Sequence, residues 1–237
     1  MSDPRDRLIV ALDVASAATA RKIVAAVGES ASTYKVGMQL YTAEGPQVVR
    51  DLVSSGRRVF LDLKYHDIPN TVGAAVREAA ALRVSMLTVH AAGGGKMLRA
   101  AVEAARARPD LSVLAVTVLT SLDDSDLAST GVNAGMDAQV LKLASLALGE
   151  GCQGIVSSAR EAPALRRKLG TNFALVTPGV RPAGGDVQDQ ARVVTPEEAI
   201  AAGASHVVVG RPITGAPDPA AAAAAILAQL ATATTYA

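Results

Sequence analysis

The chain has 237 residues, with 23 basic and 22 acidic side chains for a formal charge of +1, so no bulk field draws it to nucleic acid or to an acidic membrane. Aromatic residues make up 3% and tryptophan is absent, which leaves few platforms on which bases could stack. The length suits one α/β barrel or two smaller domains, and the lone Cys152 excludes an internal disulfide and reads as a core residue of a protein from a reducing interior. Residues 1–7 are charged and lead straight into a strand, so no signal peptide is expected.

Eight short runs rich in β-branched residues follow one another, at 8–13, 33–38, 58–64, 84–90, 112–120, 153–157, 173–178 and 205–210. Between them lie segments that read as helices: 16–27, 43–54, 71–82, 96–107, 136–149, 160–169 and 196–202. The Ala-rich tail 219–231 is shorter than the roughly 20 residues of a membrane span. It reads as a closing helix, with Ile226, Leu227 and Leu230 on one face. Strict alternation of near-continuous apolar strands with helices predicts an α/β protein of the (β/α)8 TIM-barrel kind. An open doubly wound sheet fits less well, because the first strand ends in Ala11-Leu12-Asp13-Val14 without a Gly-rich turn. With no linker or low-complexity break, 1–237 reads as a single catalytic domain.

If the barrel is right, every strand's carboxyl end faces one mouth, where such folds place their chemistry. Asp13 follows strand one, Lys35 sits in strand two, Asp62 and Lys64 end strand three, His90 ends strand four and Thr120 ends strand five. Residues two apart on a strand share a face, so Asp62 and Lys64 are expected to leave the strand together. Asp67 follows three residues later, close enough to approach the same ammonium or to reach a neighbouring subunit. Asn70 or Thr71 is expected to cap the next helix. A surface ion pair is the plain reading of a lone Asp-x-Lys-x-x-Asp. Alternating charges converging on one mouth argue for function, since each buried ion costs several kcal/mol of desolvation.

Two connections exceed what helix entry requires, 121–135 after strand five and 179–192 after strand seven. The second is Gly- and Pro-rich, polar, and carries Arg181, so it reads as a lid. After strand eight comes Val209-Gly210-Arg211-Pro212-Ile213-Thr214. Gly210 would let the backbone approach an anion, Arg211 would grip it bidentately, and Pro212 suits the start of a short helix. With Arg181 one loop earlier, this predicts a phosphorylated substrate. His66 reads as a loop-shaping residue and His206 as a packed core residue. Asp62, Asp67 and His90 could together hold a divalent cation, but no His-x-x-x-His or Cys pair supports one, and no metal is expected.

The run Asp62-Leu63-Lys64-Tyr65-His66-Asp67-Ile68-Pro69-Asn70-Thr71 resembles the signature of the orotidine 5'-phosphate decarboxylase family. So do Ala11-Leu12-Asp13, Tyr34-Lys35-Val36-Gly37, Val116-Thr117-Val118-Leu119-Thr120-Ser121, Thr177-Pro178-Gly179-Val180-Arg181-Pro182, Gly185-Asp186 with Asp189-Gln190-Ala191-Arg192, and Val209-Gly210-Arg211-Pro212-Ile213-Thr214. The resemblance implies decarboxylation of orotidine 5'-monophosphate to UMP, the last step of de novo pyrimidine nucleotide synthesis, by a cytoplasmic enzyme without a cofactor. It implies a catalytic tetrad of Lys35, Asp62, Lys64 and Asp67. Asp13 and Lys35 would contact the ribose, Thr120 together with Ser121 the pyrimidine edge, and Arg181, Gln190, Gly210 and Arg211 the phosphate. Ile68 and Thr71 join the substrate-binding set, and Asp67 and Thr71 would reach the partner subunit's site in a homodimer. The Asp-x-Lys-x-x-Asp core is shared with decarboxylases and synthases acting on sugar phosphates. Three alternatives therefore stand beside this reading: a Mg2+-dependent sister enzyme, a Schiff-base aldolase built on Lys64, and a catalytically silent phosphate-binding barrel.

Overall fold

The computed structural model describes residues 3–182 and 194–233. Eight strands close into a barrel in sequence order, every neighbouring pair parallel and β8 returning to β1. They are β1 (Leu8–Ala11), β2 (Thr33–Gly37), β3 (Arg58–Tyr65), β4 (Met86–His90), β5 (Ser112–Val116), β6 (Gly154–Val156), β7 (Ala174–Thr177) and β8 (His206–Val209). The helices are α1 (Pro4–Arg7), α2 (Ala17–Val27), α3 (Met38–Glu44), α4 (Gln47–Ser54), α5 (Pro69–Ala81), α6 (Gly94–Ala105), α7 (Asp124–Ser129), α8 (Met136–Gly149), α9 (Ala162–Leu169), α10 (Pro196–Ala201), α11 (Arg211–Thr214) and α12 (Pro219–Thr232). The (β/α)8 TIM-barrel expectation holds. Among the described residues no helix is long and apolar enough to cross a membrane.

Strand periodicity divides the core in two. Leu8, Val10, Tyr34, Val36, Val59, Leu61, Leu87 and Val89 point outward into one large cluster with the helices. Alternate residues point inward, where Ile9, Ala11, Phe60, Leu114, Val176 and Val208 fill the barrel. Cys152 is buried in the outer layer, and burial pushes its thiol up to about 12, which makes it an inert packing residue.

Several boundaries differ from the sequence expectations, each for a local reason. The expected helix over 43–54 is two helices, because Gly45 adopts a left-handed φ of 65° at the end of α3 and Pro46 precedes α4. The connection 121–135 contains α7, closed by a capping box in which Asp123 accepts from the N–H of Asp126 and Asp126 accepts from that of Asp123. Neither Asn70 nor Thr71 caps α5. Its N-cap is Ile68, with no side-chain cap bond, and Pro69 stands in the first turn, where a missing N–H costs nothing. Strand five stops at Val116 rather than Thr120, and at Thr117 both the backbone N–H and the hydroxyl donate to the Val156 carbonyl, at 3.3 and 3.1 Å. Residues 1–7 carry the short α1, with Asp3 accepting from the Arg5 N–H.

Candidate active site

The third strand departs from a regular ladder at the carboxyl mouth. Phe60 and Leu61 pair with Met86 and Leu87, but the next pairing joins Tyr65 to Val89. Three residues, Asp62, Leu63 and Lys64, thus stand opposite Thr88 alone. Lys64 takes φ 52°, a left-handed conformation costing a non-glycine residue roughly 1–2 kcal/mol. The expectation that Asp62 and Lys64 meet is met, though through this bulge rather than through simple two-residue alternation. The Lys64 ammonium donates to both Asp62 oxygens, at 2.9 Å each.

Lys35 lies inside the barrel and is almost fully buried, at 8% exposure. Its ammonium donates to Asp13 at 2.7 Å and stands 3.8 Å from Asp62. Asp62 is therefore shared by two ammonium groups, and Asp13 caps the row on its open side. A Cβ at Gly37 would fall 2.9 Å from Lys35 Nζ and 3.0 Å from Asp13 Oδ1. Glycine is what leaves room for that pair.

Two adjoining cavities meet at Lys35 and Asp62. The larger, about 440 Å3, is lined by Asp13, Lys35, Asp62, Gly179, Arg181, Gly210 and Arg211. The smaller, about 160 Å3, is lined largely by apolar side chains, including Phe60, Val116, Val118, Val156 and Val208, with Lys64 and Thr120 at its edge. One lobe is charged and the other is suited to a flat, mostly apolar ring, with the ion row between them. Arg181 is buried at 7% exposure, whereas Arg211 is exposed in the first turn of α11, after Gly210. A Cβ at Gly210 would meet only Ala11 Cβ, at 3.6 Å, so neighbours do not force glycine there.

The remaining expected residues fall on the rim. Asp67 is exposed, and its carboxylate accepts from the Ile68 N–H at 2.6 Å. Among the described residues no ion pair joins it to Lys64. Ile68 is 66% exposed, and Thr71 and Ser121 are exposed as well. Gln190 and most of the expected lid, 183–192, lie outside the described residues.

Sequence reasoning passed over Thr88 and the Ser157–Glu161 pair at the mouth, and read His66 and His90 only singly. Thr88 is fully buried and bonds both Asp62 and the Lys64 backbone. Ser157 donates to the buried Glu161 behind the smaller cavity, and the Ser158 N–H donates to the same carboxylate at 2.8 Å. His66 and His90 stand with ring centroids 5.3 Å apart, and burial, then His66 and Lys64, lower the pKa of His90. A hydroxyl inside an apolar strand gives no signal beyond β propensity. Among the described residues no three His, Cys, Asp or Glu gather as metal ligands.

Such a mouth, with an ion row between a charged lobe and an apolar one, defines the chain as a TIM-barrel protein with an enzyme-like site at its carboxyl end. The chain belongs to the orotidine 5'-phosphate decarboxylase / HUMPS family, whose description matches residues 6–226. It is 53% identical over 227 residues to orotidine 5'-phosphate decarboxylase of Anaeromyxobacter sp. (strain K), covering 96% of this chain and 99% of that one. It is 50% identical over 233 residues to the protein of the same name from Moorella thermoacetica, covering 95% and 92%. The crystal structure of orotidine 5'-phosphate decarboxylase from Lactobacillus acidophilus superposes with a TM-score of 0.84 at 38% identity, covering 94% of this chain and 98% of that one.

Proposed function

We propose that this chain decarboxylates orotidine 5'-monophosphate to UMP as a cofactor-independent carboxy-lyase of de novo pyrimidine synthesis, with 1–237 acting as one catalytic domain. The observation that carries the reading is the Lys64 ammonium, fixed at 2.9 Å from both Asp62 oxygens at the edge of the apolar lobe. Breaking the bond between C6 and the carboxylate releases CO2 and leaves the electron pair on C6, where no neighbouring carbonyl can delocalise it. A preorganised ammonium beside that carbon lowers the energy of the developing charge without having to reorient during reaction. The same group then gives a proton to C6 and is reprotonated from solvent. Asp62 aims Lys64 and also faces the departing carboxylate, a repulsion that ends as CO2 leaves.

The other roles follow from the two lobes. The pyrimidine takes the apolar lobe with Thr120 at its edge, Asp13 and Lys35 meet the ribose hydroxyls, and the phosphate takes the lobe of Arg181, Gly210 and Arg211. Gln190 is assigned to the same phosphate. Phosphate binding remote from the reacting carbon would close the 179–192 loop over the substrate and hold the ring against the charges. Asp67, Ile68 and Thr71 are turned outward on the rim, which supports a homodimer in which Asp67 and Thr71 complete the partner's site. The near-neutral composition supports a small-molecule enzyme rather than a nucleic-acid or membrane binder, and the single cysteine supports a cytoplasmic location. The test is the loss of orotidylate's ultraviolet absorbance with purified, chelator-treated protein. Undiminished turnover after chelation is expected. No turnover would sink the proposal, and turnover abolished by the chelator would favour a metal-dependent relative.

A further inference from the structure

The ion row depends on a bulge that the backbone alone does not hold. Lys64 sits at φ 52°, and two extra residues of β3 have no backbone partner register on β4. What occupies the gap is the side chain of Thr88, which is fully buried and points into the barrel from the centre of β4. Its hydroxyl accepts from the Lys64 N–H at 2.9 Å and donates to Asp62 Oδ1 at 2.9 Å. The direction of both bonds is fixed, since an amide only donates and an ionised carboxylate only accepts. One oxygen therefore ties the backbone of the lysine to the side chain of the aspartate that the same lysine's ammonium grips. Threonine suits this place because its branched Cβ restricts χ1. Full burial means that a missing hydroxyl leaves the Lys64 N–H unsatisfied.

We infer that Thr88 is a positioning residue for the reaction: its hydroxyl sets the strained backbone at Lys64 and the plane of the Asp62 carboxylate, and so fixes where the Lys64 ammonium stands. This rests on the function proposed above and adds to it a residue that touches neither substrate nor reacting atom. A group acting through Lys64 and Asp62 would slow the chemical step while leaving phosphate-driven binding alone.

The experiment compares Thr88→Val, which keeps the shape and removes the hydroxyl, with Thr88→Ser, which keeps the hydroxyl and removes a methyl. Turnover of orotidylate by Thr88→Val is expected to fall about 10- to 100-fold, the range for losing one buried bond partner, with KM within about threefold of the parent. Thr88→Ser is expected within about threefold of the parent in both. Hydrogen exchange at the Lys64 amide is measured alongside, and should quicken at least about tenfold in Thr88→Val and not in Thr88→Ser. Thr88→Ala takes the place of Thr88→Val on both measurements if the valine does not fold. Turnover in the hydroxyl-free variant within twofold of the parent, equal losses in the serine and the valine, or a change confined to KM would each overturn the inference. A parent protein inert toward orotidylate would sink the functional reading alone, and the Lys64 amide would still decide this one: unchanged exchange in the hydroxyl-free variant overturns it.

Discussion

Both oxygens of Asp62 stand 2.9 Å from the Lys64 ammonium, so the carboxylate faces the cation squarely rather than by one edge. Lys35, 3.8 Å from the same carboxylate, keeps Asp62 paired if Lys64 is removed. Lys64→Ala should therefore fold, with a stability loss of about 1–3 kcal/mol, while turnover falls about 10^4-fold or more through combined loss of charge stabilisation and proton delivery. Denaturant unfolding and the orotidylate assay check the two halves, and near-parental turnover would remove Lys64 from the mechanism.

Arg211 is exposed and lines the charged lobe. Arg211→Ala should lower kcat/KM for orotidylate about 10^2- to 10^3-fold, in line with charge-assisted bonds to a phosphate. Residual action on unphosphorylated orotidine should change by less than about threefold. Equal losses on both substrates would show that Arg211 does not act through the phosphate.

Gly37→Ala should fold, because the nearest obstacle to its Cβ is the end of the flexible Lys35 side chain, 2.9 Å away. Displacing that ammonium breaks the 2.7 Å bond to Asp13, and binding of UMP is expected to weaken about tenfold, near 1.4 kcal/mol. Titration calorimetry with UMP checks it, and parental affinity would mean that the Lys35–Asp13 pair does not contact the nucleotide.

The shared-site homodimer makes a distinct prediction. Lys64→Ala and Asp67→Ala should each be nearly inactive alone. After the two are unfolded and refolded together, heterodimers hold one site with both groups intact, and about a quarter of parental activity should return, as statistical pairing requires. No recovery, with heterodimers shown to form, would place Asp67 outside the partner's site.

At the opposite end of the barrel, burial drives the pKa of His206 down to about 4, against roughly 6.5 in an unfolded chain. Between those values the unfolded chain binds a proton that the folded one refuses, so stability is full above about 6.5 and falls as the pH drops toward 4. The limiting loss is about 3 kcal/mol. His206→Leu should flatten this part of the pH–stability curve, measured by urea unfolding from pH 7 to 4. An unchanged slope would assign the acid sensitivity elsewhere.

The eight-fold alternation was legible because parallel strands buried on both faces write near-continuous apolar runs, and Lys35, Asp62 and Lys64 stood out as charges interrupting them. Less visible were features set by tertiary geometry. The left-handed turn at Lys64 has no local marker, as lysine is an uncommon residue there. Thr88 in Met86-Leu87-Thr88-Val89 reads as an ordinary strand residue, and only the missing register opposite it gives it polar work. The placement of Asp67 on the rim likewise follows from Pro69 starting α5 early, which leaves its carboxylate to the neighbouring Ile68 N–H.

The bulge in β3 adds two residues, an even number, so Leu61 before it and Tyr65 after it both pack against the outer helical layer. Chain length at this point is thus quantised. A one-residue deletion here would exchange the inward and outward faces of everything that follows on the strand, whereas excising a pair would leave the pleat in phase. The inserted pair thus carries the catalytic cation without setting which face of the strand meets the helices.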